Sequence, residues 1–563
     1  MTDWIKKREN QIFFSVTLIT IFVAISPLLS RYCLLGHDSE YHLLRIEALK
    51  DQIMMWRPFL RVNPLYFGGM GYASSMFYPD ILLYIPAFMR VLGFGVDTSY
   101  HSYMAICIIL GYLVTYICGK KITGNRYISM FFAVILTLSS YHLDDIMVRA
   151  AAGEYTAFVF IPIVVYGLFN LFFEEFNKPY VLGLGMGLVL LSHTLSFVMC
   201  LMMIVILMMF NFDVFLKAPK LILKLAATAL VTLAATAFYW IPVLEQFSEA
   251  VFYVSEPWIE PVESAVKLVD TFTFSLPTLG VGLMILLLPR VLIFRNYDDK
   301  VMKFADQCIV AGFMFAIMAT DIVPWKIVGK YFSMIQFPWR FYVVSSVLLA
   351  FGAATVVYRL AGSIYIGVTD CPDEYDDEEQ VVSNDKLVNK YGLVIGLVLT
   401  VMTVAAVYGY SIQDREYYDH SNDYFNYKPF TTTVIAGEWL PKSVDDKDTL
   451  IDLCEKATDN NGSDVAFVRN RGKLVVSTNG SEGYIDVPLI YYKGYTAKGE
   501  SGADYAIDGS GVNGTARVYT NNNADTITVN YTGTVLQRIS ELISLITVIV
   551  ILCFFIKKNK MKK

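Results

Sequence analysis

The chain has 563 residues, 55% of them hydrophobic and 17% charged, with a mean hydropathy of +0.48 and a net charge of −6. A soluble protein carries closer to a quarter charged residues, and here the apolar residues gather in runs of about 17–22, the length that crosses a hydrocarbon core of roughly 30 Å. That pattern excludes a soluble enzyme. The lack of a basic stripe or motif excludes nucleic acid as a partner. Eight irregularly spaced cysteines, with only Cys454 in the large C-terminal polar region, exclude a disulfide scaffold.

At the start, Lys6, Lys7 and Arg8 precede an apolar run from about Phe13 to Leu29. Basic, then apolar, then small residues is also the order of a signal peptide. The run is long enough to span and many more follow, so a retained helix with a cytoplasmic N-terminus is expected. Further spans are expected at about 101–118, 127–141, 156–173, 180–193, 195–211, 223–240, 276–294, 305–320, 341–360, 391–411 and 539–556. The stretch 180–211 reads either as two short spans around Ser192-His193 or as one broken hairpin.

One more apolar run, about 77–94, contains Pro79, Pro86, Asp80 and Arg90. Counted as a span it would place Lys120, Lys121, Arg126 and the Lys-rich C-terminus outside, against the positive-inside rule. It is therefore expected to be a re-entrant or interfacial segment on the outer side. With about twelve spans the clusters Lys217/Lys220/Lys224 and Arg290/Arg295/Lys300/Lys303 also fall inside, as does the C-terminus. The loop 361–390, acidic from Asp370 to Gln380, reads as a solvated cytoplasmic loop.

Residues 412–536 are rich in Asn, Gly, Thr, Tyr and Asp. Apolar and polar residues alternate over 473–477, 484–488, 516–519 and 526–531, with Asn479-Gly480 and Asn513-Gly514 as turn signals. In the last stretch Ile527, Val529 and Tyr531 share one face. A small extracytoplasmic β-sandwich is expected, tethered by helices at both ends. The expected organisation is a transmembrane domain 1–411 with a first outer loop at 31–100, a β-rich domain 412–536, and a final helix with a basic cytoplasmic tail, 537–563.

The middles of the spans hold almost no charge, and all six histidines lie outside or at the outer boundary. A proton-coupled transporter more often buries acids or histidines near the midplane. Chemistry or binding at the outer interface is favoured. The densest outer cluster is Gly36–Arg45. On a helix, Asp38, His42 and Arg45 share a face and Glu40 points elsewhere. Such an acid can act as a general base, or the cluster is a solvated helix with an Asp–Arg pair. A second cluster holds Asp144, Asp145, Arg149 and Glu154 between two spans, where an ordinary charged loop is the plainer reading. His193 stands at a boundary. Gln336, Trp339 and Arg340 lie at the mouth of a span, where Arg suits phosphate recognition and Trp suits interfacial anchoring.

An acid in the first outer loop, the Tyr78-Pro79 segment and the second acidic loop together resemble the GT-C class of membrane glycosyltransferases. The run Ile335-Gln-Phe-Pro-Trp-Arg-Phe341 and the stretch 488–497 resemble bacterial membrane proteins of the YfhO type, including those labelled 6-pyruvoyl-tetrahydropterin synthase-related. The resemblance implies a GT-C-like fold of about twelve transmembrane helices plus the outer segment and the β-sandwich. It implies a sugar transferred from a polyprenyl-phosphate carrier to a cell-envelope polymer or glycolipid acceptor, in the plasma membrane among its lipids. Asp38 is then the catalytic base, with Glu40 as runner-up because Ser39 separates the two acids. The residues His42, Arg45, Asp144, Asp145, Arg149, Glu154, His193, Gln336, Trp339 and Arg340 bind substrate. A divalent cation, magnesium or manganese, would fall to Asp38, Asp144 and Asp145. A flippase of lipid-linked glycans and a non-catalytic envelope-assembly protein are the competing expectations.

Overall fold

A computed structural model of the protein describes residues 2–30, 33–34, 36–255, 259–273, 276–292, 299–366, 394–407, 409, 417–418, 437–447, 449–478, 480, 482–521 and 524–560. The acidic loop from Asp370 to Gln380 lies outside the described residues. The chain forms two compact units that alternate along the sequence. The first is Met1–Asp38, His101–Thr232 and Trp258–Tyr418; the second is Ser39–Tyr100, Leu233–Pro257 and Asp419–Lys563. Segments 39–100 and 233–257, read from the sequence as parts of the membrane domain, thus fold with the C-terminal region.

Among the described residues, six helices are long and apolar enough to cross a membrane: Lys7–Leu29, Val96–Thr123, Ala152–Phe173, Lys300–Met318, Pro338–Arg359 and Val535–Lys558. The count becomes eight if the bent pairs Arg126–Thr137 with Ser140–Met147 and Lys220–Ala235 with Ala237–Glu249 are each one span. Four shorter apolar helices remain: Pro179–Leu190, Thr194–Phe210, Val281–Arg290 and Val394–Val407. The run at 77–94 yields only the eight-residue helix Tyr84–Val91, about 12 Å long at 1.5 Å per residue and too short to span.

The first unit is helical and packs around Tyr342–Ile366, which is buried throughout Tyr342–Val357. Small residues let its helices close in. A methyl group on Gly167 would lie 2.7 Å from the Leu182 Cα, so Ala152–Phe173 and Pro179–Leu190 meet backbone to backbone. The stretch 180–211 resolves into two helices separated at His193. A two-residue antiparallel pairing, Cys33–Leu34 (β1) with Tyr417–Tyr418 (β2), joins distant parts of this unit.

The single span expected over 223–240 is broken at Thr236. In a continuous helix the Phe238 amide would bond the Ala234 carbonyl. Instead the Ser544 hydroxyl stands between them, accepting from Phe238 N at 2.9 Å and donating to Ala234 O at 3.1 Å. Pro242 has no amide to give the Phe238 carbonyl, and Arg61 Nη2 supplies the missing donor at 2.7 Å.

In the second unit, residues 458–531 form two sheets. One has the order Thr458–Asp459 (β3), Gly483–Ile490 (β6), Thr515–Thr520 (β10), Ile507–Asp508 (β9). The other has the order Phe467–Asn470 (β4), Lys473–Ser477 (β5), Thr526–Tyr531 (β11), Tyr495–Gly499 (β7), Asp504–Tyr505 (β8). Leu474, Val476, Ile527 and Val529 from one sheet and Ile485, Val487 and Val518 from the other share a single core, so this is a β-sandwich. The same core takes in Tyr66, Phe67, Met70, Tyr72, Phe77 and Phe252. That shared burial is the reason the first polar loop belongs to this unit.

Candidate functional site

The site in the first unit is assembled from four segments, with His193 joining them from a fifth. The short helix Ser140–Met147 carries Tyr141, Asp144 and Asp145, and all three are buried. Tyr141 and Asp145 lie four residues apart on one face of this helix, and Arg149 follows just past its end. Ala150 then turns the chain with a φ of +54°, and Ala152–Phe173 begins with Glu154 in its first turn. Arg149 Nη1 donates to Asp145 Oδ1 at 3.0 Å, to Glu154 Oε1 at 2.8 Å and to the Tyr141 hydroxyl at 3.0 Å. Its Nη2 reaches Glu154 Oε2 at 3.2 Å. The Tyr141 hydroxyl donates in turn to Glu154 Oε1 at 2.6 Å. Glu154 is the hub.

The third segment is the loop before Tyr342–Ile366. Arg340 lies 3.7 Å from Glu154 Oε2. Its Nη1 donates to the Ile335 carbonyl at 2.8 Å and to Gln336 Oε1 at 3.0 Å. Gln336 has a φ of +62°, and its carbonyl accepts from Ser264 Oγ at 3.2 Å. Trp339 stacks on Phe337 at 4.5 Å, and its buried Nε1 has no acceptor. His193 stands within electrostatic reach of Glu154 and Arg340. Its Nδ1 accepts from the Ser196 amide at 3.3 Å, which caps Thr194–Phe210. It is a helix cap as well as a member of the cluster.

Asp38 is the fourth contribution. The amides of His37 and Asp38 donate to the carbonyls of Val148 and Arg149 at 2.9 and 2.8 Å. This needs Gly36, where a methyl group would lie 2.5 Å from Ala150 Cβ and 2.7 Å from the Val148 carbonyl. Asp38 is half-buried. Burial raises its carboxyl above the ordinary value, and the charges of Arg149 and Arg340 offset only part of that rise.

The structure therefore brings Asp38, Asp145, Arg149, Glu154, His193, Gln336 and Arg340 to one place, with Asp144 next to Asp145 on the same helix. It corrects the reading of the first cluster. Asp38 precedes the helix Ser39–Met54 and shares no helical face with His42 and Arg45. Those two form a cluster of their own in the second unit. Arg45 pairs with Asp80 through Nε and Nη2, and its Nη1 lies 3.2 Å from His42 Nδ1. Arg45 also donates to the Pro79 carbonyl at 2.8 Å and lies over the Tyr78 ring. The expected Asp38–Arg45 pair is replaced by Asp80–Arg45. Glu40 sits half-buried in the first turn of Ser39–Met54.

Sequence reasoning assigned no role to Tyr141, although its four-residue spacing from Asp145 and Arg149 is visible in the chain. As for a cation, no three His, Cys, Asp or Glu side chains among the described residues are grouped to hold one. Asp38, Asp144 and Asp145 do not fit as a metal centre, and one oxygen of Asp145 is committed to Arg149.

No protein-family model matches the chain, and no curated protein matches it. Solved structures with a similar fold include the apo oligosaccharyltransferase of Archaeoglobus fulgidus, at 13% identity and a TM-score of 0.40 over 70% of this chain and 55% of that one. Arabinofuranosyltransferase AftD from Mycobacteria gives 13% identity and 0.44 over 70% and 28%. ArnT from Cupriavidus metallidurans gives 14% identity and 0.43 over 81% of each chain. The chain spans about half the length of the first of these. At such identities no residue is carried from those proteins to this one.

Proposed function

We propose that this chain is a membrane glycosyltransferase that moves a sugar from a polyprenyl-phosphate carrier to a cell-envelope acceptor, with Asp38 as the general base. The observation that supports this best is the placement of Asp38. It is a half-buried acid with its carboxyl raised by burial, pinned beside a buried cluster that contains two arginines. A raised carboxylate is a stronger base, which suits proton removal from a hydroxyl.

In this reading the acceptor oxygen attacks the anomeric carbon and its proton passes to Asp38. The bond from that carbon to the phosphate oxygen breaks, and the lipid phosphate leaves with the electron pair. The arginines have different parts. All the hydrogen bonds from the Arg149 terminal nitrogens go to Asp145, Glu154 and Tyr141, so it fixes the cluster. Arg340 spends Nη1 on its own loop, while Nη2 has no acceptor among the described residues. Arg340 is thus the group with donor capacity for the phosphate as its charge develops. We also assign the Gln336–Arg340 loop to the YfhO-type pattern, and the site and the sandwich to the extracytoplasmic side of the plasma membrane.

The test is transfer of a labelled sugar from a polyprenyl-phosphate donor to envelope acceptors by the purified protein in lipid. Asp38→Asn should abolish transfer in a protein that still folds and inserts. Undiminished transfer by that variant would remove Asp38 from the role of base.

A further inference from the structure

The helix Tyr84–Val91 in the second unit has two unlike faces. Leu83, Pro86 and Ala87 are buried on one side, and Arg90 Nη2 donates to Glu47 Oε2 at 3.2 Å. The other side is a stripe of Ile81, Ile85, Phe88 and Leu92, spaced by four, three and four residues, and all four are exposed. The charge is paired within the protein while the apolar side chains are turned away from it. A helix bathed in water has the opposite arrangement.

The loop at 56–59 widens this patch. The Phe59 amide donates to the Tyr84 hydroxyl at 3.0 Å, and the two rings lie 5.2 Å apart. Trp56 and Phe59 are 87% and 75% exposed, with φ of +58° and +69°. Residues of this size seldom take that backbone. Here two of them do so while their rings stay exposed, so no core packing offsets the strain. Strained positions of this kind concentrate at functional sites.

Chain connectivity identifies what covers the patch. Leu92–Gly95 separate the helix from Val96–Thr123, which is long and apolar enough to cross a membrane. Such a link extends at most about 18 Å, at roughly 3.6 Å per residue. Two backbone bonds shorten it further, from Gly93 N to the Arg90 carbonyl at 3.0 Å and from Phe94 N to the Met89 carbonyl at 3.1 Å. The stripe is thereby held beside the end of a spanning helix, where the neighbouring medium is lipid. Trp, Phe and Leu beside a short amphipathic helix are also the residues that settle at a bilayer interface.

We propose that Trp56, Phe59 and the stripe from Ile81 to Leu92 form a membrane-docking surface, with the helix lying in the plane of one leaflet. The apolar side chains enter the boundary between headgroups and acyl chains, about 5–10 Å deep. The Arg90–Glu47 pair stays on the protein side. Of the two sequence expectations for 77–94, re-entrant and interfacial, the exposed stripe selects the second. It also adds Trp56 and Phe59, which lie outside that run. The surface is independent of the transfer reaction proposed above.

The test places photo-leucine, a diazirine analogue close to leucine in shape, at Leu92 or at Leu83 of the full-length protein in phosphatidylcholine vesicles. Leu92 is 76% exposed and Leu83 is 4% exposed, so lipid adducts should be on the order of ten times more frequent at Leu92. Benzoylphenylalanine in place of Phe59 should give them as well. Fragmentation should place each adduct on the glycerol or the upper acyl chain. Equal yields at Leu92 and Leu83 overturn the proposal, and so do adducts confined to the acyl-chain ends, which mark a re-entrant segment. Cross-links between two copies of the chain in place of lipid adducts overturn it too, by assigning the patch to self-association. Reaction with water alone overturns it by leaving the patch in solvent.

Discussion

The Asp38 amide donates to the Arg149 carbonyl at 2.8 Å, so the acid and the arginine are fixed to one another through their backbones. The Arg149 side chain is turned to Tyr141, Asp145 and Glu154. The acid is thereby held near a guanidinium without being consumed by it. A direct ion pair would depress a carboxyl; here burial prevails and the Asp38 carboxyl stays raised.

This backbone junction depends on Gly36. Gly36→Ala should push this segment away from Ala150 and Val148, where the new methyl group would have contacts of 2.5 and 2.7 Å respectively. Overpacking of this kind costs about 1–3 kcal/mol, while a misplacement of about 1 Å in a reacting group costs on the order of 100-fold in rate. Transfer should therefore fall far more than thermal stability does. Adding Ala150→Gly removes the nearer contact and suits the φ of +54° at that position, so the double variant should recover part of the rate. Equal transfer by Gly36→Ala and wild type would separate the junction from function.

The raised Asp38 carboxyl fixes two signs with pH. A base works ionised, so the acidic limb of the rate profile should lie above the ordinary carboxyl value of 3.8, and Asp38→Asn should lose that limb along with activity. Stability runs the other way. A carboxyl raised by folding holds its proton more tightly folded than unfolded, so its contribution is fully present below the unfolded value. It is lost as pH rises from the unfolded value through the raised folded one. Asp38→Asn has no charge to bury and should be the more stable protein at neutral pH. Unfolding midpoints measured across a pH series check this; a less stable variant at neutral pH contradicts it.

The parts legible in the sequence are those set by local period and length. Thr526–Tyr531 alternates strictly, and Ile527, Val529 and Tyr531 are buried as expected. Lys473–Ser477 is a strand over the same residues that alternate. The run at 77–94 forms no helix of spanning length, as Pro79, Pro86 and two charges implied. What was not legible depends on distant partners. Arg45 finds Asp80, 35 residues away, rather than the nearer Asp38. The loop at 39–100 joins the sandwich core because Tyr66, Tyr72 and Phe77 are buried with Ile485 and Val529, a contact no local pattern encodes. Glu154 reads from the sequence as one acid of a charged loop, and its place between Arg149 and Arg340 appears only in the fold.

Glu154 should therefore be the most sensitive position for the integrity of the site. Glu154→Gln leaves Arg149 with one ion-pair partner, Asp145, and Arg340 with none among the described residues. Removing one member of a buried pair costs about 3–5 kcal/mol. Tyr141→Phe removes one hydroxyl that both donates to Glu154 and accepts from Arg149, at about 1.5–3 kcal/mol for bonds to charged groups. Unfolding of the detergent-solubilised protein should rank Glu154→Gln below Tyr141→Phe, and both below wild type. The opposite order would displace Glu154 as the hub.

In the second unit, Arg45 and Asp80 make a separate and purely structural prediction. Their side chains are 2% and 8% exposed, and one oxygen of Asp80 is buried without a hydrogen-bond partner. Arg45→Met leaves Asp80 as an uncompensated buried acid, and Asp80→Asn leaves Arg45 without its ion-pair partner. Each single variant should lose about 3–5 kcal/mol. The double variant Arg45→Met with Asp80→Leu removes both charges and both desolvation costs, so it should be more stable than Arg45→Met alone. A double-mutant cycle reads this coupling directly, and residues in contact typically couple by about 0.5–3 kcal/mol. Additive losses would mean that the pair contributes nothing beyond packing. Because neither residue belongs to the Asp38 cluster, the conservative variant Asp80→Asn, at a temperature where it stays folded, should retain transfer.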